Sequence, residues 1–414
     1  MSAEPSEEKR LLDWLYGTQM YGVKLGLEST QKLLTEFGLP TKDQRFIHVA
    51  GTNGKGSVCA FAHSILSAAG VNAGLFTSPH LIQFRERIRD SHGMIPHDDL
   101  VVILREVRQR VAEWDPHPTF FELSLIVALK WFAQKKLEWV VLETGMGGRL
   151  DATNAIQSAV TVITSISMDH QAALGNTLAA IAGEKAGIIK PGIPVITMKQ
   201  NPQAMEVVSR TARERGAPMN IVTTPVRGYQ LGLAGHHQLW NAAMAVAAVK
   251  AAGFKLTETI LNPGLKNVSW PARFQNLDGA NRMILDGAHN IDAAETLVRT
   301  WQHKFPGEKA TIVFGAAANK DVRAVVRALQ PIAARWCFTD FDSPRAANPA
   351  QVSEMHHAIY GDSFPSSVHE NPKDALAEAA KHRQRVLITG SLYLAGEVLA
   401  QIRGERDLFE PSHQ

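Results

Sequence analysis

The sequence predicts an α/β protein: a P-loop nucleotide-binding domain on a mainly parallel sheet, followed by a smaller Rossmann-like C-terminal α/β domain. Three observations carry this expectation. Short apolar runs alternate with helix-like stretches, the pattern of a parallel sheet covered by helices on both faces. A glycine-rich turn, Gly51-Thr52-Asn53-Gly54-Lys55-Gly56-Ser57, lies between one such run and the next helix. The alternation lapses around residues 262–274 and then resumes, which marks a domain junction.

In chain order, strands are expected at residues 45–50, 139–143, 160–165 and 194–198, with a helix starting near Lys55. An Ala-rich helical segment, 241–252, precedes a turn-rich stretch from Asn262-Pro263-Gly264 to Trp270-Pro271-Ala272-Arg273-Phe274. Further strands are expected at 282–285, 310–314, 334–339 and 385–389. The domains are accordingly drawn at 1–268 and 274–414. No internal repeat, heptad run or low-complexity tract interrupts them.

Composition narrows the function. A chain of 414 residues, 45% hydrophobic, can fill two or three domain cores. Its 43 basic and 40 acidic side chains give a net charge of only +3, too balanced for a nucleic-acid protein. Cys59 and Cys337 are too few for a disulfide framework or a thiolate metal site, so a reducing cytoplasm is expected. The polar start, Met1 to Arg10, lacks the apolar core of a signal peptide, and no apolar run is long enough to span a bilayer.

Three segments carry chemistry. In the turn at Gly51, backbone N–H groups can face a phosphate, the helix N-terminus adds partial positive charge, Lys55 adds a full one, and Ser57 can offer its hydroxyl to Mg²⁺. The spacing departs from the standard P-loop, since a glycine separates lysine from serine; a plain glycine turn with a solvated lysine is the bland alternative. In Leu142-Glu143-Thr144-Gly145-Met146-Gly147-Gly148-Arg149-Leu150-Asp151-Ala152-Thr153-Asn154, Glu143 ends an apolar run where a parallel sheet binds ligands. It is either a Mg²⁺ ligand or, in the bland alternative, a helix cap or a salt-bridge partner of Arg149, and Asp151 can simply open a turn. In Ser167-Met168-Asp169-His170, His170 can join a metal from a third segment or be a structural histidine. Lys185, in Gly183-Glu184-Lys185-Ala186-Gly187-Ile188, reads as a helix surface lysine.

Together these motifs, with SPHL and RERI after Thr77, TFFE at Thr119, PARFQ at Pro271 and DGAHN at Asp286, resemble the folylpolyglutamate synthase/dihydrofolate synthase branch of the Mur ligases, in family order from about Tyr21 to Leu394. The resemblance implies an ATP-dependent ligase that joins L-glutamate to dihydropteroate or to the γ-carboxylate of folates, the pterin pocket lying in the first domain and the glutamate site in the second. Gly51, Thr52, Asn53, Gly54, Lys55, Gly56 and Ser57 then cradle ATP, with Asn241 on its adenine side and Arg273 and Asp286 also facing it. Ser57, Glu143 and His170 bind Mg²⁺, and Lys185 matches a lysine that becomes carbamylated. His289 positions or deprotonates the glutamate amine, and Ser391 also contacts glutamate. The pterin-bearing acceptor is lined by Ser78, Pro79, His80, Leu81, Phe84, Arg85, Thr119, Phe121, Asp151 and Ala152, although Phe121 and its neighbours are apolar enough to be plain helix core.

The implied chemistry is activation of a carboxylate as an acyl phosphate, attack by the glutamate amine, and release of ADP and phosphate. A monomer in the cytoplasm, without nucleic-acid or membrane partners, is the corresponding expectation. Two alternatives stand beside it. A cell-wall Mur ligase would need a UDP-sugar domain, for which the loop at Gly51 comes too early. A nucleotide-gated binding module would keep the phosphate loop but have little use for Glu143, His170, Lys185 and Asp286 together.

Overall fold

The computed structural model describes residues 6–21 and 26–411, so Met1 to Pro5 of the polar N-terminal segment lie outside the described residues. The chain divides into two compact units.

The first unit is built on an eight-stranded sheet. Its strands are β1 (Arg45–Ala50), β2 (Gly74–Phe76), β3 (Ile88–Asp90), β4 (Gly93–Met94), β5 (Trp139–Glu143), β6 (Val160–Ile163), β7 (Val195–Met198) and β8 (Met219–Val222). They run in the order β4-β3-β2-β5-β1-β6-β7-β8, parallel except for the β3 and β4 edge. Both β1 and β5 are buried almost throughout, as expected of strands covered on both faces. Since β5 and β6 flank β1 on opposite sides, the order reverses at β1, and the segments leaving β1, β5 and β6 emerge together at the carboxyl edge. The helix Lys55–Ala68 that follows β1 is apolar nearly all round, with Val58, Phe61, Ile65 and Leu66 fully buried, and so packs in the interior.

The second unit comprises Pro79–Phe84, Gly232–Gln238 and the chain from Ser269 onward. Two short segments that the sequence places inside the first domain therefore pack here. Its strands are β9 (Gln275–Asn276), β10 (Met283–Leu285), β11 (Ala310–Phe314), β12 (Ala333–Thr339), β13 (Ser366–His369) and β14 (Arg385–Thr389). The order is β13-β12-β11-β14-β10-β9, parallel but for β9. Trp301, Phe305, Phe314, Trp336 and Phe338 fill one face of this sheet, with Trp336 and Phe338 stacked 5.4 Å apart.

All eight expected strands are present, with edges moved by at most two residues. Two expectations fail locally. The Ala-rich helix begins at His236 rather than 241. Asn262-Pro263-Gly264 is not a turn but lies inside the helix Glu258–Lys266. A proline there gives up one helical hydrogen bond. Packing overrides that local preference: a Cβ on Gly264 would stand 3.0 Å from the Ile65 Cα and 3.4 Å from the Ala68 Cβ, so the two helices meet backbone to backbone. Gly264→Val should accordingly lower stability by roughly 1–3 kcal/mol through overpacking, read as a lower midpoint in thermal unfolding followed by circular dichroism; an unchanged midpoint would show that the helix contact is loose.

Candidate active site

The carboxyl edge at β1 is where the phosphate loop forms. Gly51 has φ +155° and a Cβ there would lie 1.7 Å from the Thr164 Oγ1; Gly54, at φ +91°, caps the helix with no room for a side chain beside the Asn241 amide, 2.7 Å away. Only glycine fits both positions. The loop is braced from the end of β6. Thr52 and Asn53 donate their N–H groups to the Ser165 carbonyl at 2.8 and 3.3 Å, and Thr52 Oγ1 exchanges hydrogen bonds with the Ser167 backbone. Thr164 Oγ1 donates to the Asn53 carbonyl at 2.8 Å. Sequence reading gave no role to Thr164 and Ser165, which it placed in the strand 160–165, and named Ser167 only as the start of the segment that carries His170. Gly56 and Ser57 occupy the first helical turn, where backbone N–H groups lack intrahelical partners, and Asn241 lies against Gly54.

Two lysines meet at this loop. Lys55 Nζ donates to the Gly51 carbonyl at 3.2 Å, and Lys185 Nζ donates to the same oxygen at 2.9 Å. Lys185 is thus a buried lysine, not the surface residue its helix suggested. Burial pushes its pKa down to about 7, and the Lys55 charge pushes in the same direction against Asp169, Asp151 and Glu184. Gly148 allows the Glu143–Asn154 loop to lie on this helix, since a Cβ there would come within 3.0 Å of the Lys185 Cα.

Glu143 is buried at the end of β5, and its Oε2 accepts from the Ser78 N–H at 3.2 Å. Arg149 pairs instead with Glu184 at 2.7 Å, which removes the salt-bridge alternative for Glu143. Burial, then the charge of Glu143, push the Cys59 thiol up while Lys55 pushes it down. Buried hydroxyl and carboxylate oxygens fit Mg²⁺, which takes few protein ligands and completes its shell with phosphate and water. His170 stands apart in character. It is exposed, in left-handed backbone at φ 50°, with its Nε2 3.8 Å from Asp169. Among the described residues no group of three or more His, Cys, Asp or Glu side chains is gathered to hold a metal.

The acceptor residues divide. Phe121 lies over the Gly145 backbone and 5.7 Å from Phe76, at the sheet edge rather than in the helix core. Asp151 is buried, with Oδ1 accepting from the Thr153 N–H and hydroxyl and Oδ2 from the Met146 N–H at 2.9 Å; it shapes the loop that Ala152 continues. Thr119 is occupied as the cap of the helix Phe120–Gln134, in a capping box with Glu122. Arg85 is held by the Ile95 carbonyl and by His97. Pro79 and His80 belong to the second unit, where the His80 ring meets the Glu410 carbonyl at 2.9 Å and Leu81 and Ile82 join the apolar core. Thr119, Arg85 and His80 therefore each have a partner in the fold, and one such partner, Glu410, lies 330 residues away and leaves no trace in the local sequence.

In the second unit Arg273 sits on a strained hook, between Ala272 at φ 56° and Phe274 at φ 46°. Asp286 secures the hook, its Oδ2 accepting from the Phe274 N–H at 2.8 Å and its Oδ1 from the Ala288 N–H at 2.9 Å. Loss of water raises the Asp286 pKa, while Arg273 and these two N–H groups favour its ionised form. His289 donates from Nδ1 to the Gly287 carbonyl at 2.9 Å, which makes Nε2 the acceptor nitrogen of the neutral ring. Ser391 caps the helix Leu392–Arg403 through the Tyr393 N–H.

Comparison with known proteins decides the family. Residues 49–207 match the Mur ligase middle domain and residues 272–392 the Mur ligase, glutamate ligase domain. The chain is 34% identical to the dihydrofolate synthase/folylpolyglutamate synthase of Bacillus subtilis, over 94% of its own length and 98% of the relative's. It belongs to the dihydrofolate synthase/folylpolyglutamate synthase family of Mur ligases. The fold agrees with solved members of this family. Escherichia coli FolC in complex with DHPP and ADP superposes with a TM-score of 0.85 at 29% identity, covering 97% of this chain and 100% of that one. The Yersinia pestis bifunctional folylpolyglutamate synthase/dihydrofolate synthase, complexed with AMPPNP and Mn ion, gives 0.85 at 28% identity with the same coverage. Gly51→Ala would force the backbone off Thr164, so, if ATP phosphate sits on this loop, the KM for ATP should rise at least about tenfold; steady-state kinetics at saturating acceptor and glutamate would read it, and an unchanged KM would contradict the tight fit.

Proposed function

We propose that this ligase joins L-glutamate to dihydropteroate and also to the γ-carboxylate of folates, releasing ADP and phosphate. The observation that carries the reading is the convergence of Lys55 and Lys185 on one carbonyl of the phosphate loop, in a chain whose relatives perform these two syntheses. A carboxylate is a poor electrophile. Transfer of the ATP γ-phosphoryl group makes it an acyl phosphate, and Lys55 with the loop N–H groups stabilises charge on the group in transit. The glutamate amine then attacks the acyl carbon and phosphate leaves. His289, with Nδ1 committed to Gly287, can accept a proton from that amine through Nε2 or hold it in line. Arg273 and Asp286 serve ATP, and Ser391 with His289 the incoming glutamate. Phe121, Asp151 and Ala152 shape the acceptor pocket, to which Ser78 is adjacent through Glu143. A Mg²⁺ ion held by Ser57 and Glu143, with His170 serving a second ion, would draw electron density from the transferred phosphoryl oxygens.

Lys185 is the residue whose chemistry reaches furthest. With a pKa near 7, much of its amine is neutral at physiological pH, and only the neutral amine adds carbon dioxide. The resulting carbamate replaces one of two crowded cations with an anion beside Lys55. Carbamylated Lys185 can then bind Mg²⁺ near the γ-phosphate, which an ammonium cannot. A monomeric, cytoplasmic enzyme is part of this reading; no described helix is long and apolar enough to cross a membrane, and both cysteines are buried and unbridged.

The decisive assay is ADP release with ATP, Mg²⁺ and L-glutamate, using dihydropteroate or tetrahydrofolate as acceptor and identifying products by mass. Turnover with both is expected; turnover with one names a single activity, and none with either leaves a nucleotide-gated binding module. Lys185→Ala should lose at least about a hundredfold in kcat and recover part of it with added short-chain carboxylates, whereas Lys185→Arg should not recover. In wild type the neutral amine fraction grows as pH rises through about 7, so bicarbonate should stimulate activity at pH 8 and much less at pH 6. Activity indifferent to bicarbonate, with an unmodified intact mass, would remove the carbamate.

A further inference from the structure

His48 is a buried polar residue in the middle of β1 that the mechanism leaves unused. Its Nε2 lies 2.8 Å from the Thr153 Oγ1, and that hydroxyl is in turn hydrogen-bonded to Asp151 Oδ1. Thr153 is itself fully buried, and its N–H also donates to Asp151 Oδ1, at 3.0 Å. A continuous chain of hydrogen bonds therefore runs from the strand that ends in the phosphate loop to the carboxylate of the acceptor loop.

The direction of donation follows from one orphaned atom. His48 Nδ1 is buried and has no partner among the described residues. A buried N–H without an acceptor is costlier than a bare ring nitrogen, so the proton of the neutral ring belongs on Nε2. Nε2–H then donates to Thr153, whose single hydroxyl proton is left to point at Asp151. Burial, then the charge of Lys190, push the His48 pKa down to about 3, so the ring stays neutral and the polarity of the chain does not reverse at physiological pH. Lys190 is itself engaged, donating to the Asn154 carbonyl at 2.6 Å, one residue beyond Thr153.

We propose that His48 is a positioning residue for the acceptor substrate: it holds the Thr153 hydroxyl as a donor to Asp151 and thereby fixes the Gly145–Ala152 loop on which the acceptor rests. This rests on the acceptor reading given above. The other end of the same carboxylate supports it, because Asp151 Oδ2 accepts from the Met146 N–H and so ties both ends of the loop to one point. Without the imidazole donor the Thr153 hydroxyl can turn away, Asp151 loses its shortest contact, and the loop is free to shift against the substrate. His48 touches no reacting atom in this scheme; its effect passes through Thr153.

The test compares His48→Leu, which removes the donor, with His48→Gln, whose side-chain amide can restore one, and Thr153→Val with Thr153→Ser. For His48→Leu and Thr153→Val, the KM for dihydropteroate or tetrahydrofolate should rise about tenfold, the size of effect expected when one buried hydrogen bond is lost. The KM values for ATP and glutamate should change less than about twofold. Gln and Ser should recover most of the loss, and the Leu/Val double variant should be no worse than either single one, since both cut the same chain. Equal rises in all three KM values, or acceptor KM values unchanged in Leu and Val, would overturn the proposal. If His48→Leu does not fold, the Thr153 pair decides by the same criteria. Wild-type enzyme without turnover on either acceptor defeats the acceptor reading and this proposal with it; active wild type with unaffected variants defeats this proposal alone.

Discussion

The carbonyl oxygen of Gly51 accepts from the Nζ atoms of two lysines, and the surrounding backbone is shaped to permit that contact. Ammonium groups brought this close repel, and burial of one of them adds a desolvation cost. The arrangement persists because the loop is held rigidly from outside. Thr164, Ser165 and Ser167 bond to the loop from just beyond the neighbouring strand, and the helix behind it buries Val58, Phe61, Ile65 and Leu66. Positive charge concentrated in advance at a rigid loop is the arrangement an anion such as phosphate needs, and it makes one of the lysines easy to deprotonate. Both consequences come from a single point where β1 ends.

Sheet topology is what brings the necessary groups to that point. Because the strand order reverses at β1, the segments after β1, β5 and β6 leave side by side, and they carry Lys55, Glu143 and the bracing hydroxyls respectively. Glycines complete the assembly by letting backbone approach backbone: Gly51 under Thr164 and Gly148 on the Lys185 helix. A side chain at either place would separate the elements that the chemistry needs together.

Much of this was legible in the sequence, and the unreadable part has a common cause. Apolar runs, glycine spacing and charged residues at strand ends are local signals, and they located the strands, the loop and Glu143. What local signals cannot carry is who a side chain meets across the fold. Lys185 looked like a surface lysine because its helix gives no sign that Gly148 lets a loop cover it. Thr119, Arg85 and His80 read as pocket residues, and nothing in the local sequence signalled that a helix cap, the Ile95 carbonyl and the Glu410 carbonyl also engage them. Pro263 looked like a breaker, and contact with the helix Lys55–Ala68 keeps it helical. His48 gave no signal at all, since a lone polar residue in an apolar strand acquires meaning only through the hydroxyl it faces.

The two units solve one electrostatic problem in the same way. Asp151 is buried and Asp286 half-buried, and in both the loss of hydration raises the pKa and would favour the uncharged acid. In both cases backbone N–H groups from the carboxylate's own loop turn onto its two oxygens: Met146 and Thr153 for the first, Phe274 and Ala288 for the second. Such donors favour the ionised form, and they also convert the carboxylate into a clasp that fixes local backbone. For Asp286 the clasped backbone is strained, with Ala272 and Phe274 at positive φ on either side of Arg273. Strain of this kind is retained only where surrounding contacts impose it, so the Asp286 carboxylate is the anchor that aims the neighbouring arginine. A substitution at either aspartate would therefore disturb ligand contacts and loop shape together, which is why the peripheral donors, rather than the carboxylates themselves, are the places where positioning can be separated from binding.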